Sequence, residues 1–151
     1  MNSEIVNLEE KKLVGVTDRT KNSDSNMTMK IGALWNKFYN EGIYKKINNK
    51  LNEKAIGMYY DYESDVNSEY SVTVGCEVSS FNDIPKEVVT KVIQKGKYAK
   101  FIVKGHMQKA VANFWQELWK MDLDRNYKCD FEEYQNADVE NAEIHIYISI
   151  N

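Results

Sequence analysis

The chain has one proline, Pro85, and two cysteines, Cys76 and Cys129, far apart in sequence and without CxxC spacing. A disulfide-stapled scaffold is therefore not expected. Each cysteine sits in an alternating apolar-polar stretch, where a free thiol behaves as a small buried hydrophobe in a reducing compartment. No run of about 18 apolar residues occurs, and the opening MNSEIVNLEEKK lacks an apolar core of signal-peptide length, so no membrane partner is expected and the cytoplasm is the expected location. His106 and His145 have no cysteine, histidine or acidic partner at metal-ligand spacing, which argues against a metal site. There is no GxSxG, no GxGxxG and no phosphate-cradling glycine loop, so ordinary hydrolase and nucleotide-binding signatures are missing and no cofactor is implied. Positive charge is also in short supply. Lys and Arg total 20 against 23 Asp and Glu, a net charge of -3, with no basic stripe to follow a phosphate backbone. Direct nucleic-acid binding is not expected.

What is present is a core-forming composition, 42% apolar over 151 residues, the size of one domain. Aromatics are in excess, with ten Tyr, five Phe and three Trp, more flat amphipathic surface than packing alone demands. Ile5–Leu8 and Leu13–Thr17 read as strands. Ile31, Leu34, Trp35 and Phe38 then recur at helical spacing, with Gly42 placed to stop the helix. Ala55–Tyr62 and Tyr70–Val78 read as paired strands around a turn-rich join. After a linker through Pro85 the order begins again: strands at Val88–Gln94 and Tyr98–Val103, a helix on Val111, Phe114, Trp115 and Leu118, and a hairpin of Lys128–Tyr134 with Glu143–Ile150.

The helices repeat at an offset of 80 residues and the hairpins at 73, where Asp65 matches Asp138; a shorter loop absorbs the difference. The expectation is an α+β domain built as a duplicated ββαββ unit, halves about 1–80 and 87–151. Two antiparallel sheets and two helices are expected to enclose a central ligand groove along a pseudo-twofold axis.

The stretches IGALWNKFYNEGI, AIGMYYDYESD, YSVTVGCEV, IPKEVVTKVIQKGKYAKFIVKGHM, FWQELWKMD and DFEEY resemble, in order and spacing over roughly residues 4–150, the gyrase-inhibitor-like (GyrI-like) effector-binding domain of bacterial AraC-type regulators. The resemblance implies a small-molecule binding module for cationic or aromatic compounds, of the kind found in multidrug binding and transcription regulation. In those regulators a DNA-binding region precedes the domain; here few residues precede the first strand, so a stand-alone binder is expected, with a protein partner as a further expectation. Some relatives are hydrolases of strained electrophiles. That alternative would make Glu132 a general base and Tyr134 its orienting hydroxyl.

The family pattern places a glutamate and a tyrosine two residues apart on the first strand of the last hairpin, and DFEEY supplies Glu132 and Tyr134. Period 2 sets these two on one face and Phe131 with Glu133 on the other, and alternation alone does not say which face is inward. If Glu132 is inward, its buried carboxylate calls for a cation. The offset of 73 sets Tyr59 opposite Glu132, to stack on a ligand, to bond the carboxylate, or simply to be one of several edge tyrosines. Trp35 and Trp115 hold matching helix positions and Trp119 lies one turn beyond; each reads as core or as a ligand contact. Asp61, Glu63, Asp65 and Glu69 read as a solvated hairpin end.

Overall fold

The computed structural model describes residues 3–63 and 69–151, so Asp65 and its match to Asp138 lie outside the described residues. The strands are β1 (Glu4–Leu8), β2 (Lys11–Lys21), β3 (Lys50–Tyr60), β4 (Glu69–Val78), β5 (Val89–Ile93), β6 (Gly96–Gly105), β7 (Arg125–Tyr134) and β8 (Ala142–Ile150). The helices are α1 (Met27–Asn40), α2 (Ile43–Lys46) and α3 (Met107–Trp119). Gly42 takes a φ of 83°, the left-handed conformation that closes α1 at low cost to a residue without Cβ. The single turn of α2 that follows it is an element the sequence pattern did not announce.

All eight strands pair antiparallel in the order β1-β6-β8-β7-β3-β4-β2-β5. Exchanging each strand for its repeat equivalent reverses this order and leaves it unchanged, the signature of a duplicated unit about a twofold axis. The expected pair of sheets is thus one continuous sheet. Ala55–Tyr60 of β3 bond to Cys129–Tyr134 of β7, so the edge each half would expose is used to join the halves. The first strand of each half crosses over: β1 pairs with β6 and β5 with β2. The axis passes between Met58 and Phe131, which face each other across the β3–β7 ladder at the repeat offset.

The helices stand to either side of the middle of this sheet. Helix α1 packs on β2 and β4, and α3 on β6 and β8. On those strands the helix-facing residues are mostly aliphatic: Val14, Val16, Val72 and Val74 lie under α1 with Cys76 and Tyr70, and Ile144, Ile146, Ile148 and Ile150 under α3. On β3 and β7 the apolar residues Ile56, Met58, Tyr60, Cys129 and Phe131 instead pack on the opposite face, with Leu13, Ile93, Tyr98 and Tyr147. What remains on their helix-facing side is Ala55, Gly57, Tyr59, Asp130, Glu132 and Tyr134. The floor between the helices is polar and aromatic because the two central strands turn their aliphatic side away from it. Both cysteines are buried and free. Among the described residues, no helix is long and apolar enough to cross a membrane.

Candidate functional site

Glu132 is 1% exposed, and Phe131, on the other face of β7, is 0% exposed. The sequence posed these two as alternatives for the inward position; both are inward, because the sheet is covered on both sides. Direct cross-strand pairing sets Gly57 beside Glu132 and Tyr59 beside Asp130. A Cβ on Gly57 would lie 3.2 Å from Glu132 Oε1 and 3.6 Å from the Trp35 ring, so the missing side chain is the space the carboxylate occupies.

Three neutral donors converge on that carboxylate. Tyr59 Oη donates to Oε1 at 3.1 Å, Tyr134 Oη to the same oxygen at 2.9 Å, and Trp115 Nε1 to Oε2 at 2.8 Å. No Lys, Arg or His among the described residues forms an ion pair with it. Burial pushes the Glu132 carboxyl above its ordinary pKa, against the pull of the bonds from Trp115, Tyr134 and Tyr59. The phenols of Tyr59 and Tyr134 are held well above the usual tyrosine range, first by burial and then by the Glu132 charge, so they remain donors. The result is a desolvated carboxylate with hydrogen bonds but no counter-charge.

Rings close the groove over it. Trp35 meets Tyr134 edge-on at 5.0 Å and stacks on Tyr39 at 6.2 Å, while Tyr59 meets Trp115 edge-on at 5.5 Å and Tyr70 at 5.9 Å. Tyr59, Tyr134, Trp35 and Trp115 each keep part of their surface open to solvent.

The structure therefore gathers five of the six residues singled out from sequence, Glu132, Tyr134, Tyr59, Trp35 and Trp115, around one point. Trp119 is 50% exposed at the end of α3, beyond that cluster. Its repeat equivalent on α1 is Tyr39, 44% exposed, so the pair stands at corresponding outer positions of the two helical walls. Asp61, Glu63 and Glu69 are exposed, as a solvated hairpin end requires. Sequence reasoning passed over Gly57, Tyr70 and Asp130. Asp130 was within reach, since period 2 puts it on the Glu132 face.

Gly57→Val is expected to push Glu132 off its donors and lower stability by about 1–3 kcal/mol, the cost of a buried polar group left unsatisfied. Denaturant unfolding measures this. Adding Glu132→Gln to that variant is expected to recover part of the loss, because a neutral amide is cheaper to bury than a displaced carboxylate.

The site sits on a fold with known counterparts. The family model described as Cass2, integron-associated effector binding protein, matches residues 4–150. The crystal structure of the integron cassette protein VCH_CASS2 of Vibrio cholerae is 30% identical, with a TM-score of 0.81 over 99% of this chain and 95% of that one. SAV2435, solved bound to tetraphenylphosphonium, is 20% identical, with a TM-score of 0.81 over 100% of this chain and 94% of that one. EcmrR, solved in a complex with DNA, is 13% identical, with a TM-score of 0.64 over 99% of this chain and 58% of that one. These last two likenesses show the fold alone. No curated protein matches the chain by sequence. The expected kinship with GyrI-like effector-binding domains holds, and across residues 4–150 the chain belongs to the family of integron-associated effector-binding proteins.

Proposed function

We propose that this effector-binding protein takes one cationic aromatic small molecule into the groove between α1 and α3, with Glu132 as the counter-charge. The observation that carries this reading is the buried Glu132 carboxylate, 1% exposed and met by three neutral donors but no cation. A ligand cation supplies the missing charge without giving up those bonds. Aromatic groups on the ligand replace the ring-on-ring contacts of Trp35, Tyr134, Tyr59 and Trp115 in kind, and a cation over such faces gains about 0.5–2 kcal/mol more. The tetraphenylphosphonium in SAV2435 has this chemistry, a positive charge carried among aromatic rings. With a net charge of -3, a small cation rather than nucleic acid is the proposed partner. The proposed compartment is the cytoplasm, where the buried Cys76 and Cys129 stay reduced.

The test is a tryptophan-fluorescence titration with tetraphenylphosphonium, whose own charge does not titrate, repeated from pH 8 to pH 4. The cation selects ionised Glu132. As pH falls through the raised pKa of that group, a proton competes for the site and affinity is expected to drop by up to about tenfold per pH unit. A flat profile, or no binding at any pH, would count against Glu132 as the counter-charge.

A further inference from the structure

The groove floor holds two carboxylates. Asp130 precedes Glu132 by two residues on β7, on the same face and about 7 Å away along the strand. It is 0% exposed. Its Oδ1 accepts the Ser149 backbone N–H at 3.0 Å, and its Oδ2 accepts Arg125 Nη2 at 2.6 Å and Tyr62 Oη at 2.7 Å. The Arg125 side chain is 7% exposed, and its guanidinium lies over the Tyr127 ring, 4.4 Å from the centroid. Arg125 is thus held as a bound cation would be, with a carboxylate on one side, an aromatic face on another and a phenol sharing the same oxygen.

Glu132 has the corresponding surroundings of phenols and indole without the cation. Ring contacts run between the two carboxylates, from Tyr59 to Tyr70 at 5.9 Å and from Tyr70 to Tyr62 at 5.6 Å. The floor is one aromatic-lined surface with two buried carboxylates, one paired with a cation from within the chain and one met by neutral donors alone.

We propose that Arg125 is a specificity-determining residue: it occupies Asp130 as a resident cation, so that the groove accepts one positive charge and not two. This rests on the reading of Glu132 as the counter-charge of a cationic ligand. A dication spaced to reach both carboxylates must displace Arg125 from a buried pair, leaving the guanidinium without its partner. Breaking such a pair costs more than the new contact returns. A pair that merely fastened the irregular start of β7, where the register shifts between Arg125 and Asp130, would affect stability but not the ratio of mono- to dication affinity.

The probes are benzyltrimethylammonium and p-xylylenebis(trimethylammonium), a mono- and a dication built on the same ring, titrated by calorimetry against the full chain. Wild type is expected to bind the dication within about threefold of the monocation. Arg125→Gln frees Asp130, and its dication preference is expected to rise at least tenfold; Arg125→Gln/Asp130→Asn is expected to lose that gain. Asp130→Asn alone keeps an oxygen for the Ser149 N–H but leaves Arg125 uncompensated. It is expected to weaken the monocation about tenfold while leaving the neutral isostere neopentylbenzene unchanged, which provides a test should Arg125→Gln not fold.

A wild type that already prefers the dication tenfold overturns the proposal. So does a folded Arg125→Gln with an unchanged ratio, or an Asp130→Asn that binds the monocation as wild type does. If wild type binds neither these cations nor tetraphenylphosphonium, the Glu132 reading fails, and this proposal with it; if it binds tetraphenylphosphonium but neither probe, this proposal alone fails. If it binds the monocation in a way that Glu132→Gln abolishes, that reading stands and the dication ratio judges Arg125 by itself.

Discussion

Glu132→Gln is expected to cost a bound cation such as tetraphenylphosphonium roughly 1.5–3 kcal/mol, about 10- to 150-fold in Kd. The amide keeps the shape of the side chain. Its oxygen can still accept the Tyr59 and Tyr134 hydroxyls that now bond Oε1, but its nitrogen is a donor and faces Trp115 Nε1, which also donates. A neutral aromatic such as triphenylphosphine oxide loses only what that mismatch costs, so the difference between the two ligands isolates the charge. Isothermal calorimetry on both proteins with both ligands measures it. Equal losses for the two ligands would mean that Glu132 shapes the groove without selecting charge. If the protein were instead a hydrolase with Glu132 as general base, the same substitution would leave binding of a strained electrophile nearly intact and remove turnover.

The free protein bears the cost of the same charge. A carboxyl whose folded pKa is raised by burial contributes stability that is fully present below its unfolded pKa and is lost as pH rises through the folded value. At neutral pH the unliganded wild type therefore bears a cost that Glu132→Gln removes. The variant gives up that cost but takes on the donor–donor mismatch with Trp115, so its melting temperature relative to wild type is expected to fall as pH is lowered from 7 to 4. A substitution that weakens the ligand while relieving the empty protein of a charge cost is characteristic of a site that holds an unfavourable charge for binding.

The helices could be read from the sequence because their signal is local. Ile31, Leu34, Trp35 and Phe38, and their equivalents 80 residues on, mark one face whatever packs against it, and Leu34, Phe38, Phe114 and Leu118 are indeed the buried residues. Strand pairing is not local. Alternation in β1 and β5 identifies strands but names no partner, and both pair with the opposite half. The β3–β7 junction that makes two expected sheets into one follows from which edges meet once the halves dock. The Glu132 strand was ambiguous for a related reason. Alternating polar and apolar residues usually mean one wet face, yet here the polar face is covered by aromatic rings from both halves, so Glu132 and Phe131 are both buried. Arg125 could not be placed because the register of β7 shifts between it and Asp130, and period 2 fails across the irregularity.

Gly75→Ala is expected to lower stability by about 3 kcal/mol or more, at or above the top of the usual range for overpacking, because the side chain has nowhere to go. Gly15 of β2 and Gly75 of β4 are direct cross-strand partners. A Cβ on Gly15 would overlap the Val74 carbonyl, and one on Gly75 the Val14 carbonyl. Neither glycine has a positive φ, so the requirement is close approach of two backbones rather than handedness. The atoms in the way are main chain in mid-sheet, where β4 pairs with both β2 and β3 and β2 turns to meet β5 through Lys11–Gly15, so they cannot step aside as a side-chain tip would. Val74 and Cys76 flank this point on β4 and face α1, whose Trp35 forms one wall of the groove, so the strain reaches the ligand site through the packing beneath it. Gly32 provides the contrast. It is exposed on α1 with nothing within 4 Å of a built Cβ, and Gly32→Ala is expected to stabilise by about 0.5–1 kcal/mol through helix propensity. Urea unfolding of the two variants beside wild type tests both signs at once. A Gly75→Ala protein within 1 kcal/mol of wild type would show that β2 and β4 do not approach as closely as this pair requires.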